Sequence, residues 1–301
     1  MVNIERNLCG IRLENPFLLA SGILDENGYT MKKVMEDGAA GVVTKSISKE
    51  EKTGYKTPVV VELEDAMINA IGLSNPGIDA FGEEMKLAIK CGKPVIGSIF
   101  GSLPDDFRAV AIKMEEFGAS AIELNLSCPH VVGVGLEVGS DPVLVRAIIR
   151  EVKGSVKIPV FSKLSPNLSN PGEIANAALD SDGFTLINTV RAMAIDPHAR
   201  RPVLSNAYGG LSGPAIKYIG LRMVHEIYRE TGRPIMGVGG ISSALDAVEY
   251  MMAGSAAVQV GTAVGMHGRK IFKELTLQLT EFMKEEGIAS LDEIVGIAVK
   301  K

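Results

Sequence analysis

The chain has 301 residues, 46% hydrophobic and 22% charged, with a formal net charge of −5 from 31 basic and 36 acidic side chains. That length and apolar share are enough to bury a large core. No basic block stands out, which argues against nucleic acid, whose phosphates need clustered Lys and Arg.

The opening MVNIERNLCG has no apolar signal core, and no apolar run is long enough to span a bilayer. A cytoplasmic protein without membrane attachment is expected. Cys9, Cys91 and Cys128 are far apart and form no CxxC pair, and the four histidines are scattered. A metal site, or an iron–sulfur cluster held by this chain, is therefore not expected. Trp is absent, so an aromatic platform for single strands is poorly supported too.

In chain order, VNIERNLCGIRLENP reads as a small hairpin. Eight short apolar runs follow, with two alternating kinds of entry. NPFLLAS, KPVIGSI, IPVFSKL and RPIMGVG begin at Pro16, Pro94, Pro159 and Pro234. GAAGVVTK, GASAIELN, DGFTLINT and GSAAVQVG begin at Gly38, Gly118, Asp182 and Gly254. Proline suits the start of a strand, and glycine suits the position that ends a helix.

Amphipathic stretches lie between these runs. In DPVLVRAIIREV, Asp141 caps, Pro142 takes the first helical position, and Leu144, Val145, Ile148 and Val152 share a face. In SSALDAVEYMMAG, Ser242 or Ser243 caps, and Leu245, Val248 and Met252 line one side.

Apolar strands alternating with such helices give an α/β fold with parallel strands buried on both faces. Eight repeats predict a (β/α)8 TIM barrel, with an open doubly wound sheet as the alternative. With no linker or low-complexity segment, one domain over residues 1–301 is expected, the hairpin closing the barrel bottom. Residues 46–93, 126–158 and 189–233 are long enough to supply inserted loops at the carboxyl face.

The strands then end at Ser21, Lys45, Ser98, Asn125, Lys163, Asn188, Gly239–Gly240 and Gly261–Thr262. The glycines of GVGGIS and VGTAVG suit a phosphate approached by backbone N–H groups, and the helix start after Gly240 would add its dipole. Tight turns alone would also use such glycines. Lys45 and Lys163 at buried strand ends need an anion to balance, or snorkel to the rim. Asn69, Asn125 and Asn188 carry donor and acceptor edges that suit a heterocycle with alternating C=O and N–H.

Cys9 and Cys91 read as small hydrophobes. Cys128 differs, because it stands three residues past a strand end. It is followed by glycines at 133, 135 and 139, which read as a mobile lid over 129–140. A thiol there is either a proton acceptor, a nucleophile, or a buried side chain.

NPFLLASG, VVTKSIS, NAIGLSNPG, ELNLSCPH, KLSPN, INT, GGLSGPAIK and GVGGISSALDAVEYMMAG occur in order over nearly the whole chain. Together they resemble the catalytic subunit of the dihydroorotate dehydrogenases, in particular the NAD-linked, two-subunit branch called class 1B. The resemblance implies oxidation of (S)-dihydroorotate to orotate in pyrimidine (UMP) biosynthesis, with one FMN per chain. Cys128 stands where that family has its general base at C5, and the hydride from C6 goes to N5 of FMN.

Lys45, Asn69, Ala70, Ile71, Gly72, Leu73, Asn125, Asn188 and Thr189 match substrate contacts of the family. Ser21, Lys45, Ser46, Asn125, Lys163, Ile187, Gly213, Gly239, Gly240, Gly261 and Thr262 match flavin contacts. Lys163 would stabilise charge on the reduced flavin. The resemblance further implies an electron-transfer subunit carrying FAD and a 2Fe–2S cluster that reduces NAD. Two such subunits would join a catalytic homodimer in a heterotetramer.

Two positions depart from the family pattern: Ser98 and His130 stand where asparagines are usual. Ser98 would keep one hydrogen bond to the flavin. His130 is similar to the dihydropyrimidine dehydrogenases, which makes a dihydrouracil or dihydrothymine enzyme an alternative. A fumarate-linked homodimer, a Schiff-base aldolase using Lys163 or Lys45, and a non-catalytic flavin module are the other readings.

Overall fold

In a computed structural model of the chain, residues 2–127 and 136–299 are described. The eight runs are strands, in chain order Phe17–Leu19, Gly41–Val43, Val95–Ile99, Ala121–Asn125, Val160–Leu164, Gly183–Leu186, Ile235–Val238 and Ser255–Val260. They form a closed parallel barrel in which each strand pairs with its chain neighbours and the eighth pairs with the first. The (β/α)8 expectation holds, and the open sheet is excluded.

The two kinds of entry interlock. Proline has no N–H to give a ladder, but its carbonyl still accepts. Pro16, Pro94, Pro159 and Pro234 each accept from a neighbouring strand, at Val258, Val42, Ile122 and Phe184, over 2.8–3.1 Å. Each proline-entry strand thereby opens its pairing on a glycine- or Asp-entry strand.

Helices cover the outside. Pro142–Lys153 forms as expected, with Asp141 accepting from the amides of Val143 and Leu144 and with Val145, Ile148 and Val152 buried. Ala244–Met252 is capped by Ser243, but its buried face is Ala244, Ala247, Val248 and Met251. Leu245, expected on the inner side, is exposed. It sits about 100° round the helix from Ala244, and the small alanines bring the helix close to the sheet.

The hairpin Arg6–Leu8 and Ile11–Leu13 is present. Leu8, Ile11 and Leu13 pack with Leu18, Val43, Ile96, Phe161 and Met236, closing the barrel bottom as expected. At the other end, two of the three long loops build a sheet of their own. Val60–Glu62 and Met67–Asn69 pair with Tyr208–Ser212 and Val190–Met193 as a four-stranded antiparallel sheet. Among the described residues, no helix is long and apolar enough to cross a membrane.

Candidate functional site

Going up the barrel axis, the interior changes from apolar to polar. Above the Leu18–Phe161 layer lies Glu123, fully buried, with Lys163 Nζ at 3.2 Å. Thr185 Oγ1 donates to the same carboxylate over 2.9 Å, and Gln259 Nε2 over 2.8 Å. A carboxylate with no water needs such donors. The other end of the amide, Gln259 Oε1, is buried without a hydrogen-bond partner among the described residues.

A cavity of about 270 Å³ opens above this layer and is lined from every barrel strand except the third. Lys163 and Gln259 line it, as do Ser21, Lys45, Ser46, Asn125, Ile187, Asn188 and Thr189. Asn69, Ile71, Gly72 and Leu73 of the capping sheet and its following loop face it from above, and Gly213, Gly239, Gly240, Gly261 and Thr262 face it from one flank.

Ala70, in contrast, is fully buried with Ile68 and Leu204 and does not line the cavity, because alternate residues of an extended segment face opposite sides. Cys128 and His130 lie outside the described residues. Ser98 is fully buried and does not line the cavity; its Oγ is 2.8 Å from Ser46 Oγ.

The glycine flank is backed by charge. Gly240 has φ +74°, and a Cβ there would stand 2.8 Å from Lys217 N and 2.9 Å from Gly213 O, so only glycine fits without displacement. Tyr250 Oη donates to Gly239 O at 2.7 Å from behind. Asp246 Oδ2 accepts from the amides of Ser242 and Ser243, so the two donors just before the first turn of helix Ala244–Met252 are spent within the chain.

Lys217 balances that carboxylate at 2.8 Å and reaches Glu249 at 3.1 Å. Burial works against the Lys217 ammonium, but the two carboxylates more than offset it and raise its pKa above the ordinary lysine value. Burial likewise opposes the Asp246 charge, and the Lys217 and serine hydrogen bonds hold its pKa below the aspartate range.

On the opposite side of the sequence, Lys45 Nζ lies 3.5 Å from Glu26 Oε1. Behind this pair, Asp25 is buried and accepts from Gly22 N at 2.6 Å through Oδ2, while Oδ1 has no partner among the described residues. Burial pushes its pKa up to about 6, against the Gly22 hydrogen bond and the Lys45 charge.

Cys9 and Cys91 do not line the cavity. Burial raises both thiols, Asp182 adding to it at Cys9 and Lys93 opposing it at Cys91. Gly139, read from sequence as part of a lid, closes helix Leu136–Gly139, and a Cβ on it would fall 1.7 Å from Leu126 O. It is a close-packing glycine.

Sequence reasoning missed Glu26, Met67, Ser212 and Gln259 in the cavity wall and Glu123 beneath it. A signal existed for two of them: single polar residues inside the apolar strands AIELN and SAAVQV.

A closed parallel barrel with a polar cavity at the carboxyl ends of its strands belongs to the (β/α)8 class, in which several strand ends share one site. Comparison with known proteins narrows the class: a family profile described as dihydroorotate dehydrogenase matches residues 3–283. The chain belongs to the dihydroorotate dehydrogenase family. It is 59% identical over 301 residues, all of both chains, to the dihydroorotate dehydrogenase B (NAD(+)) catalytic subunit of Thermoplasma volcanium. The same-named subunit of Thermoplasma acidophilum is 57% identical over 300 residues, again covering both chains. That of Pyrococcus horikoshii is 47% identical over 299 residues, covering 99% of this chain and 98% of the relative.

Proposed function

We propose that residues 1–301 act as one FMN-binding barrel domain that oxidises (S)-dihydroorotate to orotate in UMP biosynthesis. The observation that carries this reading is that Lys163, Lys45 and three asparagines, Asn69, Asn125 and Asn188, line one cavity. The residues fit FMN on structural grounds. Gly240, in a left-handed turn on the cavity wall, carries no side chain to keep a phosphate from its backbone, and Gln259 Oε1 is a buried acceptor on the wall. Gly213, Gly239, Gly240, Gly261 and Thr262 would hold the phosphate, and Ser21, Ser46, Asn125, Lys163 and Ile187 the ring system.

Bound FMN supplies the acceptor for the hydride that leaves C6. The chain's own groups do the rest. Lys163, anchored on Glu123, offers a positive charge where negative charge grows. Lys45 takes the substrate carboxylate, and Asn69, Asn125, Asn188 and Thr189 orient the ring, with the segment Ala70–Leu73 above. Cys128 takes the proton from C5; its assignment rests on its place in ELNLSCPH, three residues after Asn125. Cys128→Ser is expected to slow flavin reduction about a hundredfold or more near neutral pH, measured by anaerobic stopped flow.

The printed names of the relatives, catalytic subunits of an NAD(+) enzyme, support a separate electron-transfer subunit. On this reading it carries FAD and a 2Fe–2S cluster, reduces NAD, and joins a catalytic homodimer in a cytoplasmic heterotetramer of two plus two chains.

The test compares substrates. Dihydroorotate is expected to reduce the flavin, and dihydrouracil, which lacks the carboxylate for Lys45, to leave it oxidised. Reduction by dihydrouracil alone would transfer the assignment to the dihydropyrimidine dehydrogenases.

A further inference from the structure

Ser127 is fully buried, does not line the cavity, and has no part in the chemistry proposed above. Its hydroxyl nevertheless lies between two amides that do line it. Asn188 Nδ2 donates to Ser127 Oγ over 2.8 Å, and Ser127 Oγ donates to Asn125 Oδ1 over 3.0 Å.

The direction of these bonds follows from the backbone. A peptide N–H only donates, so an amide atom that it meets must be oxygen. Ser127 N meets Asn125 at 3.2 Å, and Thr189 N meets Asn188 at 2.8 Å, which fixes Oδ1 in both side chains. The nitrogen of Asn188 then faces Ser127, whose oxygen accepts and whose one proton goes to Asn125. The nitrogen of Asn125 faces Ser46 Oγ at 2.9 Å, and Ser46 meets Ser98 Oγ at 2.8 Å. A hydrogen-bonded chain thus runs across four strand ends, directed from Asn188 through Ser127 and Asn125 to Ser46, with the buried Ser98 beyond it.

This chain decides what each amide has left. Asn125 Oδ1 accepts from both the N–H and the O–H of Ser127, so both lone pairs are used. Among the described residues, what Asn125 retains is one N–H. Among the same residues, Asn188 retains one N–H and one lone pair. Asn125 therefore suits an isolated carbonyl, and Asn188 suits an edge where C=O adjoins N–H, as on a pyrimidine ring.

We infer that Ser127 is a positioning residue that fixes which edge each asparagine shows the ligand. The inference rests on the proposed reading, since the edges it assigns are those of a dihydropyrimidine. Without the hydroxyl, Asn188 is held by the Thr189 amide alone, and Asn125 loses one of two bonds on its oxygen.

The test uses FMN-loaded protein and orotate binding, read from the shift of the flavin absorbance, because product binding involves no proton transfer at the neighbouring Cys128. Ser127→Ala is expected to retain FMN and its thermal midpoint while the orotate Kd rises about 5- to 50-fold. The KM for dihydroorotate should rise in parallel, with a smaller fall in kcat. Ser127→Cys, nearly the same volume with a weak S–H donor, carries the test if the alanine variant does not fold, and should weaken binding in the same direction.

An unchanged orotate Kd, or a loss of FMN and melting temperature with no change in Kd, would overturn the positioning role. Wild-type protein that holds FMN but fails to bind orotate would overturn the reading beneath it.

Discussion

Asp25 shows how a site residue can oppose stability. It is buried, has one unpartnered oxygen, and its pKa is pushed up to about 6 by burial. An acid with a higher pKa in the folded than in the unfolded chain adds stability that is complete below the ordinary aspartate value. That contribution is lost as pH rises through the folded pKa. Asp25→Asn removes the dependence, so the variant should gain about 3 kcal/mol on the wild type between pH 4 and 8. Urea unfolding at those two pH values measures it; a constant difference would mean that Asp25 is not desolvated as described. Glu123 is the opposite case, a buried carboxylate fully provided with partners. Glu123→Gln leaves the Lys163 ammonium without its counter-charge and should cost about 3–5 kcal/mol in the same assay. Lys45, Lys163, Asn125 and Asn188 were legible in the sequence because they stand at barrel strand ends, where polarity is unexpected. Glu123 and Gln259 left a fainter mark, single polar residues inside AIELN and SAAVQV, and nothing in either strand shows that the two meet beneath the cavity.

At the scale of elements, the strand seventh in order and the helix after it work as a unit. Ser243 caps the helix, Asp246 accepts from the Ser242 and Ser243 amides in return, Lys217 neutralises Asp246, and Tyr250 holds the Gly239 carbonyl. The sequence revealed the glycines and the serine cap. It did not show that Asp246 takes the amides of Ser242 and Ser243, since GVGGISSALDAV carries no mark of which donors are already taken. Lys217→Met strands Asp246 and should cost about 1–3 kcal/mol at pH 7. The lowered Asp246 pKa contributes stability above the ordinary aspartate value, lost as pH falls through it. The raised Lys217 pKa contributes below the ordinary lysine value, lost as pH rises through it. The penalty should therefore be full between the ordinary aspartate and lysine values, about pH 4 to 10, and fade as the medium becomes more acidic than the ordinary aspartate value. Unfolding midpoints across that range check it.

At the scale of the whole molecule, the barrel was readable because its signal is local and repeated: eight apolar runs, each opened by Pro, Gly or Asp, with helical patterns between. The capping sheet was not readable. Its strands are short, and Met67–Asn69 pairs with Tyr208–Ser212 across well over a hundred intervening residues. No periodicity within either loop encodes that partner, although it is what brings Asn69 over the cavity. Ala70 illustrates the same limit, since its neighbours reach the cavity while its own side chain packs against Ile68 and Leu204.

The most direct measurement is to purify the chain, release its chromophore by heat, identify it, and titrate the intact protein anaerobically with dihydroorotate. One FMN per chain, bleached by stoichiometric dihydroorotate, is the expected result. A colourless chain that cannot be loaded with FMN, or a yellow one that dihydroorotate leaves oxidised, would contradict the account.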